Sequence, residues 1–161
     1  MPDISIRTAT IVDLQDLIVF NQAMALESEN RKLNEATLRS GVKRVLDDRN
    51  QGFYLVAIVD GKVTGSLMVT FEWSDWRNAQ YWWIQSVYIL PEYRRQGIYR
   101  TLYQAVKNRG NEQQGIVCKY RLYVEKDNFI AQKAYKQLGM NESNYLMYES
   151  INNQQLNHKL R

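Results

Sequence analysis

The chain has 161 residues, 45% hydrophobic and 24% charged, which suits one globular domain with an adequate core and excludes a repeat array or a disordered protein. Its 21 Lys and Arg against 17 Asp and Glu leave +4, and Lys159 and Arg161 in a tail without acids supply +2 of that. The nearly balanced body, with basic residues not gathered with aromatics on one element, argues against a nucleic-acid module despite a pI of about 9.1.

One cysteine, Cys118, cannot form an internal disulfide, and one histidine, His158 in the polar tail, leaves no His/Cys ligand set, so no metal is expected. Met1 to Thr10 lacks a long apolar run, and no stretch approaches the ~20 apolar residues of a membrane span. The expected location is cytoplasmic. One domain is expected over residues 1–150, with a polar tail over 151–161.

Ile4 to Arg7 alternates like a strand. Thr10, with Asp13 three residues on, opens a helix whose face is Leu14, Leu17, Ile18, Asn21 and Met24. This helix runs into the acidic segment of Glu27 and Glu29. A second helix starts after Asn34, with Leu38, Val42, Val45 and Leu46 on its inner side. Phe53 to Val59 and Val63 to Phe71, joined by Asp60-Gly61, form a hairpin. Glu72 to Asn78 reads as a polar, aromatic turn, and Tyr81 to Leu90 as a third hairpin strand ending at Pro91. A helix follows Gly97, with Ile98, Leu102, Ala105 and Val106 on one face, then a strand from Tyr120 to Glu125. A last helix from Asn128 carries Ile130, Ala134, Tyr135 and Leu138 to a C′ glycine, Gly139. Tyr145 to Tyr148 is predicted as a final strand. The fold class is therefore α/β, of α+β type, with a mostly antiparallel central sheet flanked by helices.

Arg94-Arg95-Gln96-Gly97 lies between a strand and a helix, where backbone N–H groups and the helix dipole favour an anion. The glycine permits close approach of a pyrophosphate, and two arginines supply charge-assisted hydrogen bonds. A solvated basic turn is the alternative reading of so short a loop.

This loop resembles the acetyl-CoA signature of the GNAT superfamily, in which Gln or Arg is followed by two residues, Gly, one residue, and Gly or Ala. Arg94 and Gly97 match, while Tyr99 stands at the last landmark. Asn128, Ala131, Tyr135 and Gly139-Met140 resemble a second family pattern, Asn, Ala, Tyr and Gly-Phe. The resemblance extends from Ile4 to Glu149. It implies the GNAT fold with splayed strands at the acetyl-CoA site, and direct acetyl transfer to an amine without a covalent intermediate. Acetyl-CoA is then the co-substrate. Val87, Tyr88 and Ile89 would pair with its pantetheine arm. Arg94, Arg95, Gln96, Gly97, Ile98, Tyr99, Asn128 and Tyr135 would complete the cofactor site. Tyr135 is also the implied acid for the departing thiolate. Cys118 is then no nucleophile, and its expected place is a small buried residue at the start of a strand.

The implied base is less defined, because Trp82 to Ser86 holds no acid where some members place one on the fourth strand. Glu72 is the first candidate, followed by Asp75, Glu27 and Glu29, and a water chain from a backbone carbonyl would also serve. Trp73, Trp76, Trp82 and Trp83 fall within eleven residues. If part of that cluster meets the acceptor together with Glu72 and Asp75, a small cationic amine is the expected substrate, with Glu27, Glu29, Asp75 and Trp76 as its expected binding residues. Each of these residues has an ordinary structural reading as well, as sheet brace or exposed charge. A protein or peptide acceptor and a non-catalytic acetyl-CoA sensor are the alternatives. No membrane or nucleic-acid partner is expected, and a homodimer is left open.

Overall fold

The computed structural model describes residues 2–153. The expected tail from residue 154 on, with His158, Lys159 and Arg161, lies outside the described residues. The chain forms two compact units, Met1–Leu122 and Tyr123–Arg161.

In the first unit, β1 (Ser5–Thr8), β2 (Phe53–Val59), β3 (Lys62–Ser74), β4 (Ala79–Ile89) and β5 (Val117–Arg121) form one sheet in chain order. The first four strands are antiparallel, and β5 runs parallel to β4. Asp60, with φ +50°, and Gly61, with φ +77°, make the tight turn of the predicted hairpin.

α1 (Leu14–Glu29) follows one 3-10 turn, and the Thr10 N–H donates to Asp13 Oδ2 at 2.8 Å. α2 (Glu35–Asp47) opens on Asn34, whose side chain accepts from the Thr37 N–H at 2.9 Å. Both helices cover one sheet face, where Leu17 and Val42 share a core cluster with Tyr54 and Val56. α3 (Ile98–Glu112) covers the other face. Arg109 lies over the Phe53 ring, and neighbouring strand residues such as Phe53 and Tyr54 point to opposite sides. On that second face Phe53, Phe71, Trp82 and Tyr120 form a chain of ring contacts.

The second unit contains α4 (Phe129–Gln137), capped by Asn128, which accepts from the Ala131 N–H at 3.1 Å. Gly139, at φ +85°, ends it as expected.

Three expectations are corrected. The fifth strand is Val117–Arg121 and stops short of Glu125. Its ladder with β4 ends at Arg121, and an apolar pattern forms a strand only where a backbone partner exists. Tyr145 to Tyr148 is not a strand either, for the same reason: no ladder partner is present for it among the described residues. Cys118 is exposed, not buried, because β5 is an edge strand; its thiol donates to the Gln80 carbonyl at 3.3 Å. Two boundaries also move. β3 extends to Ser74 and β4 begins at Ala79, so the expected turn shrinks to Asp75–Asn78.

Candidate active site

β4 is irregular where the resemblance places the pantetheine strand. Met68 pairs with Gln85 and Ser66 with Tyr88, so Leu67 alone faces two residues, Ser86 and Val87. This is a β-bulge, and Ser86 carries it in the left-handed region at φ +50°. The extra residue inverts the alternation. Trp82, before the bulge, packs on Tyr120 on the α3 face, whereas Tyr88, after it, contacts Phe20 of α1 at 5.4 Å.

The same strand loses its second neighbour. The β4–β5 ladder ends with Trp83 and Arg121, so from Ile84 to Ile89 β3 is the only ladder partner among the described residues. The outer edge of β4 past Trp83 therefore has no ladder strand among the described residues, since β5 ends at Arg121. The Tyr88 carbonyl lies on the β3 side near Gly65, and the Ile89 carbonyl accepts from Arg94 Nε; backbone groups left on such an open edge are free to take another partner.

Past Ile89 the chain makes a 3-10 turn over Pro91–Tyr93 and then alternates sharply, with Arg94 extended, Arg95 at φ +63° and Gly97 at φ +83° as N-cap of α3. The first turn of a helix leaves its N–H groups without intrahelical acceptors, and Thr101 is the first residue to close, onto Gly97 O at 3.0 Å. Arg95 is exposed, Gln96 donates to Glu92 O at 3.0 Å, and Ile98 is buried as the anchor of the helix start. Tyr99, where the family has Gly or Ala, sits half-buried in the first turn with its ring 6.4 Å from that of Tyr103. The loop thus combines two left-handed residues and the open first turn of α3 with the exposed Arg95, features that can hold an anion.

Arg94 is turned toward α1. Its Nη2 meets Glu27 Oε2 at 2.8 Å and its Nε donates to Ile89 O at 3.0 Å. The Tyr88 hydroxyl donates to the other Glu27 oxygen at 3.0 Å. Burial raises the Tyr88 phenol above its ordinary value and the Glu27 carboxylate adds to this, while Arg94 works against it.

Glu72 belongs to a second cluster. Trp83 Nε1 donates to its Oε1 at 2.8 Å, and Arg121 Nη1 reaches both oxygens at 3.2 Å. The Arg121 guanidinium stacks 3.8 Å over the Tyr81 ring. Hydrogen bonds with Ser74 and Arg77 hold the Tyr81 phenol below its ordinary value, with burial opposing them. Glu29 pairs with Arg31 at 3.6 Å. Asp75 accepts from the Trp76 N–H at 2.9 Å, and the Trp76 side chain is 93% exposed. In the second unit, burial raises the Tyr135 phenol above its ordinary value, so it is protonated at neutral pH.

The structure brings Glu27, Tyr88 and Arg94 together, and separately Glu72 with Trp83 and Arg121. Sequence reasoning missed Ser86 and Arg121. A serine gives no sign that it will adopt a left-handed conformation, and Arg121 is 49 residues from the carboxylate it binds.

An open α/β sheet whose fourth strand is bulged, outlasts its pairing with the fifth and leads through a left-handed turn into a helix start is the architecture of the acetyltransferase class. The model of the GNAT acetyltransferase family matches residues 20–140, and the chain belongs to that family. A possible acetyltransferase from Clostridium difficile 630 is 43% identical with a TM-score of 0.86, over 92% of this chain and 97% of that one. At 16% identity only the fold is shared with two others, each with a TM-score of 0.74. One is a predicted acetyltransferase from Clostridium acetobutylicum with acetyl-CoA, matched over 98% of this chain and 99% of that one. The other is the aminoglycoside N-acetyltransferase AAC(6')-Iy with CoA, matched over 94% and 96%. No curated protein matches the chain. Among the described residues no helix is long and apolar enough to cross a membrane.

Proposed function

We propose that the protein transfers the acetyl group of acetyl-CoA directly to the amine of a small cationic molecule. The observation that carries this reading is the continuity of the bulged edge at Val87–Ile89 with the left-handed turn at Arg95 and Gly97. The edge offers backbone pairing to the pantetheine amides, and the turn offers N–H groups and Arg95 to the pyrophosphate. The CoA and acetyl-CoA held by the two distant structural neighbours support the same ligand.

Two proton transfers complete the reaction. An alkyl amine with a pKa near ~10.4 must lose a proton before it can attack, and the CoA thiolate must be neutralised as it leaves. Tyr135 is the proposed acid, a role that its raised pKa supports by keeping the proton in place. Glu72 is a poor base as it stands, since both oxygens already accept hydrogen bonds. A water chain from a backbone carbonyl is the better route. For the acceptor, Asp75 beside the exposed Trp73 and Trp76 offers the acidic, aromatic surface that suits a protonated amine.

The test is a calorimetric titration with acetyl-CoA, followed by a turnover screen of small polyamines and aminoglycosides against lysine peptides. Micromolar binding that is lost when Arg94 and Arg95 are both replaced by Ala is expected. Absence of binding overturns the cofactor assignment, and turnover confined to the peptides overturns the small-molecule acceptor.

A further inference from the structure

Three segments meet at the end of β4: the last turn of α1 through Glu27, the strand through Tyr88, and the loop through Arg94. The Glu27 carboxylate divides its oxygens between the Tyr88 hydroxyl and Arg94 Nη2. The guanidinium also rests 5.4 Å over the Tyr88 ring. Its ion pair with Glu27 is only half shielded, at 42% exposure for Arg94 and 45% for Glu27. Exposed pairs are weakly held because water and salt screen them. Arg94 also directly precedes the left-handed Arg95 of the proposed pyrophosphate loop. A pyrophosphate carries more charge than one carboxylate and accepts the planar guanidinium fork with two oxygens.

Resting on that reading of the loop, we infer that Glu27 and Arg94 form an exchange pair: without acetyl-CoA the guanidinium neutralises Glu27, and the arriving pyrophosphate takes it over. Glu27 is then held by the Tyr88 hydroxyl alone and presents a full negative charge beside β4, the sign that attracts a protonated amine. The other charged groups nearby do not replace Arg94, since Arg31 is paired with Glu29 and Arg95 lies in the loop. Glu27 therefore restrains cofactor binding in the free protein, although it touches no part of the cofactor.

This runs opposite to what a fixed brace predicts, and Glu27→Gln separates the two. Glutamine keeps an oxygen for Tyr88 and removes the charge. In calorimetric titration with acetyl-CoA at low ionic strength, Glu27→Gln is expected to bind about two- to fivefold more tightly than the wild type, the affinity that an exposed ion pair holds back. Arg94→Ala is expected to bind more weakly, and adding Glu27→Gln to it is expected to change nothing further. Should Glu27→Gln fail to fold in a thermal melt, Glu27→Asp, whose shorter arm withdraws the carboxylate from Arg94, is expected to shift affinity in the same direction. Equal or weaker binding by the Glu27 variant overturns the exchange and makes the pair a fixed brace. A wild-type protein that does not bind acetyl-CoA at all overturns the proposed function instead.

Discussion

Gly65 is where the fold leaves room for the site. It lies on β3 opposite Ile89, and a Cβ placed there would stand 2.8 Å from Ile89 Cδ1, 3.0 Å from the Tyr88 carbonyl oxygen and 3.4 Å from Ile98 Cγ2. It would thus press on the strand edge and on the first residue of α3 at once. Ile89 can turn its methyl aside for about 0.5–1.5 kcal/mol, but the Tyr88 carbonyl is backbone and must move by a few tenths of an ångström. Overpacking of this kind costs about 1–3 kcal/mol, and the reduced freedom of the unfolded chain returns about 0.4–1. Gly65→Ala is therefore expected to lose about 1–2 kcal/mol, seen as a fall in Tm of roughly 2–8 °C. The shift of the edge is expected to weaken acetyl-CoA binding by roughly 3–10-fold, a fraction of what a full ångström of misplacement costs. Adding Ile89→Val removes the nearest atom and should restore part of both. Thermal melting and calorimetric titration read the two effects. A lower Tm with unchanged affinity would refute the claim that Gly65 positions the site, and no change in either would refute the packing argument itself.

Three other outcomes are expected. At the bulge, Ser86→Gly should be neutral within about 1 kcal/mol in denaturant unfolding. Ser86→Val should lose about 1–3 kcal/mol, because a β-branched residue resists φ +50°; equal stability of the two would remove the strain from the account. Burial raises the Asp13 carboxyl, but hydrogen bonds from Arg7 and the Thr10 N–H and the Arg7 charge outweigh it and hold it below its ordinary value. A carboxylate lowered on folding contributes stability above its unfolded pKa and loses it as the pH falls through the folded one. Asp13→Asn is thus expected to cost about 1–2 kcal/mol at pH 7, with the gap closing below about pH 4; a gap constant from pH 7 to 3 contradicts this. Tyr135→Phe should lower kcat by roughly 10²-fold if the phenol is the acid, and unchanged turnover ends that assignment.

The sequence was most legible where local chemistry and tertiary structure agree. Asn34 caps α2, Asp60-Gly61 turns the hairpin, and Gly139 closes α4, each by a side-chain or backbone property that needs no distant partner. The start of α3 after Gly97 was legible for the same reason, because a glycine after a strand-ending proline turn marks a helix start. What escaped depends on pairing. Tyr145 to Tyr148 alternates like a strand, yet a strand is a relation between two segments and only one is written there. Glu72 reads as an exposed carboxylate until Arg121 arrives from β5 and Trp83 from β4. Glu27 and Arg94, read separately as acceptor and cofactor residues, turn out to hold each other across 67 residues of chain.

The inserted residue at Ser86 makes β4 a strand with two allegiances. Up to Ile84 its even-numbered side chains belong to the α3 layer, and from Tyr88 on they belong to the α1 layer. Removing one residue there would leave the hydrogen-bond ladder continuous but send Tyr88 into the opposite layer, away from Glu27. Substitutions around this point can therefore leave the two layers as they are, whereas a single-codon deletion would take Tyr88 away from both Phe20 and Glu27 at once.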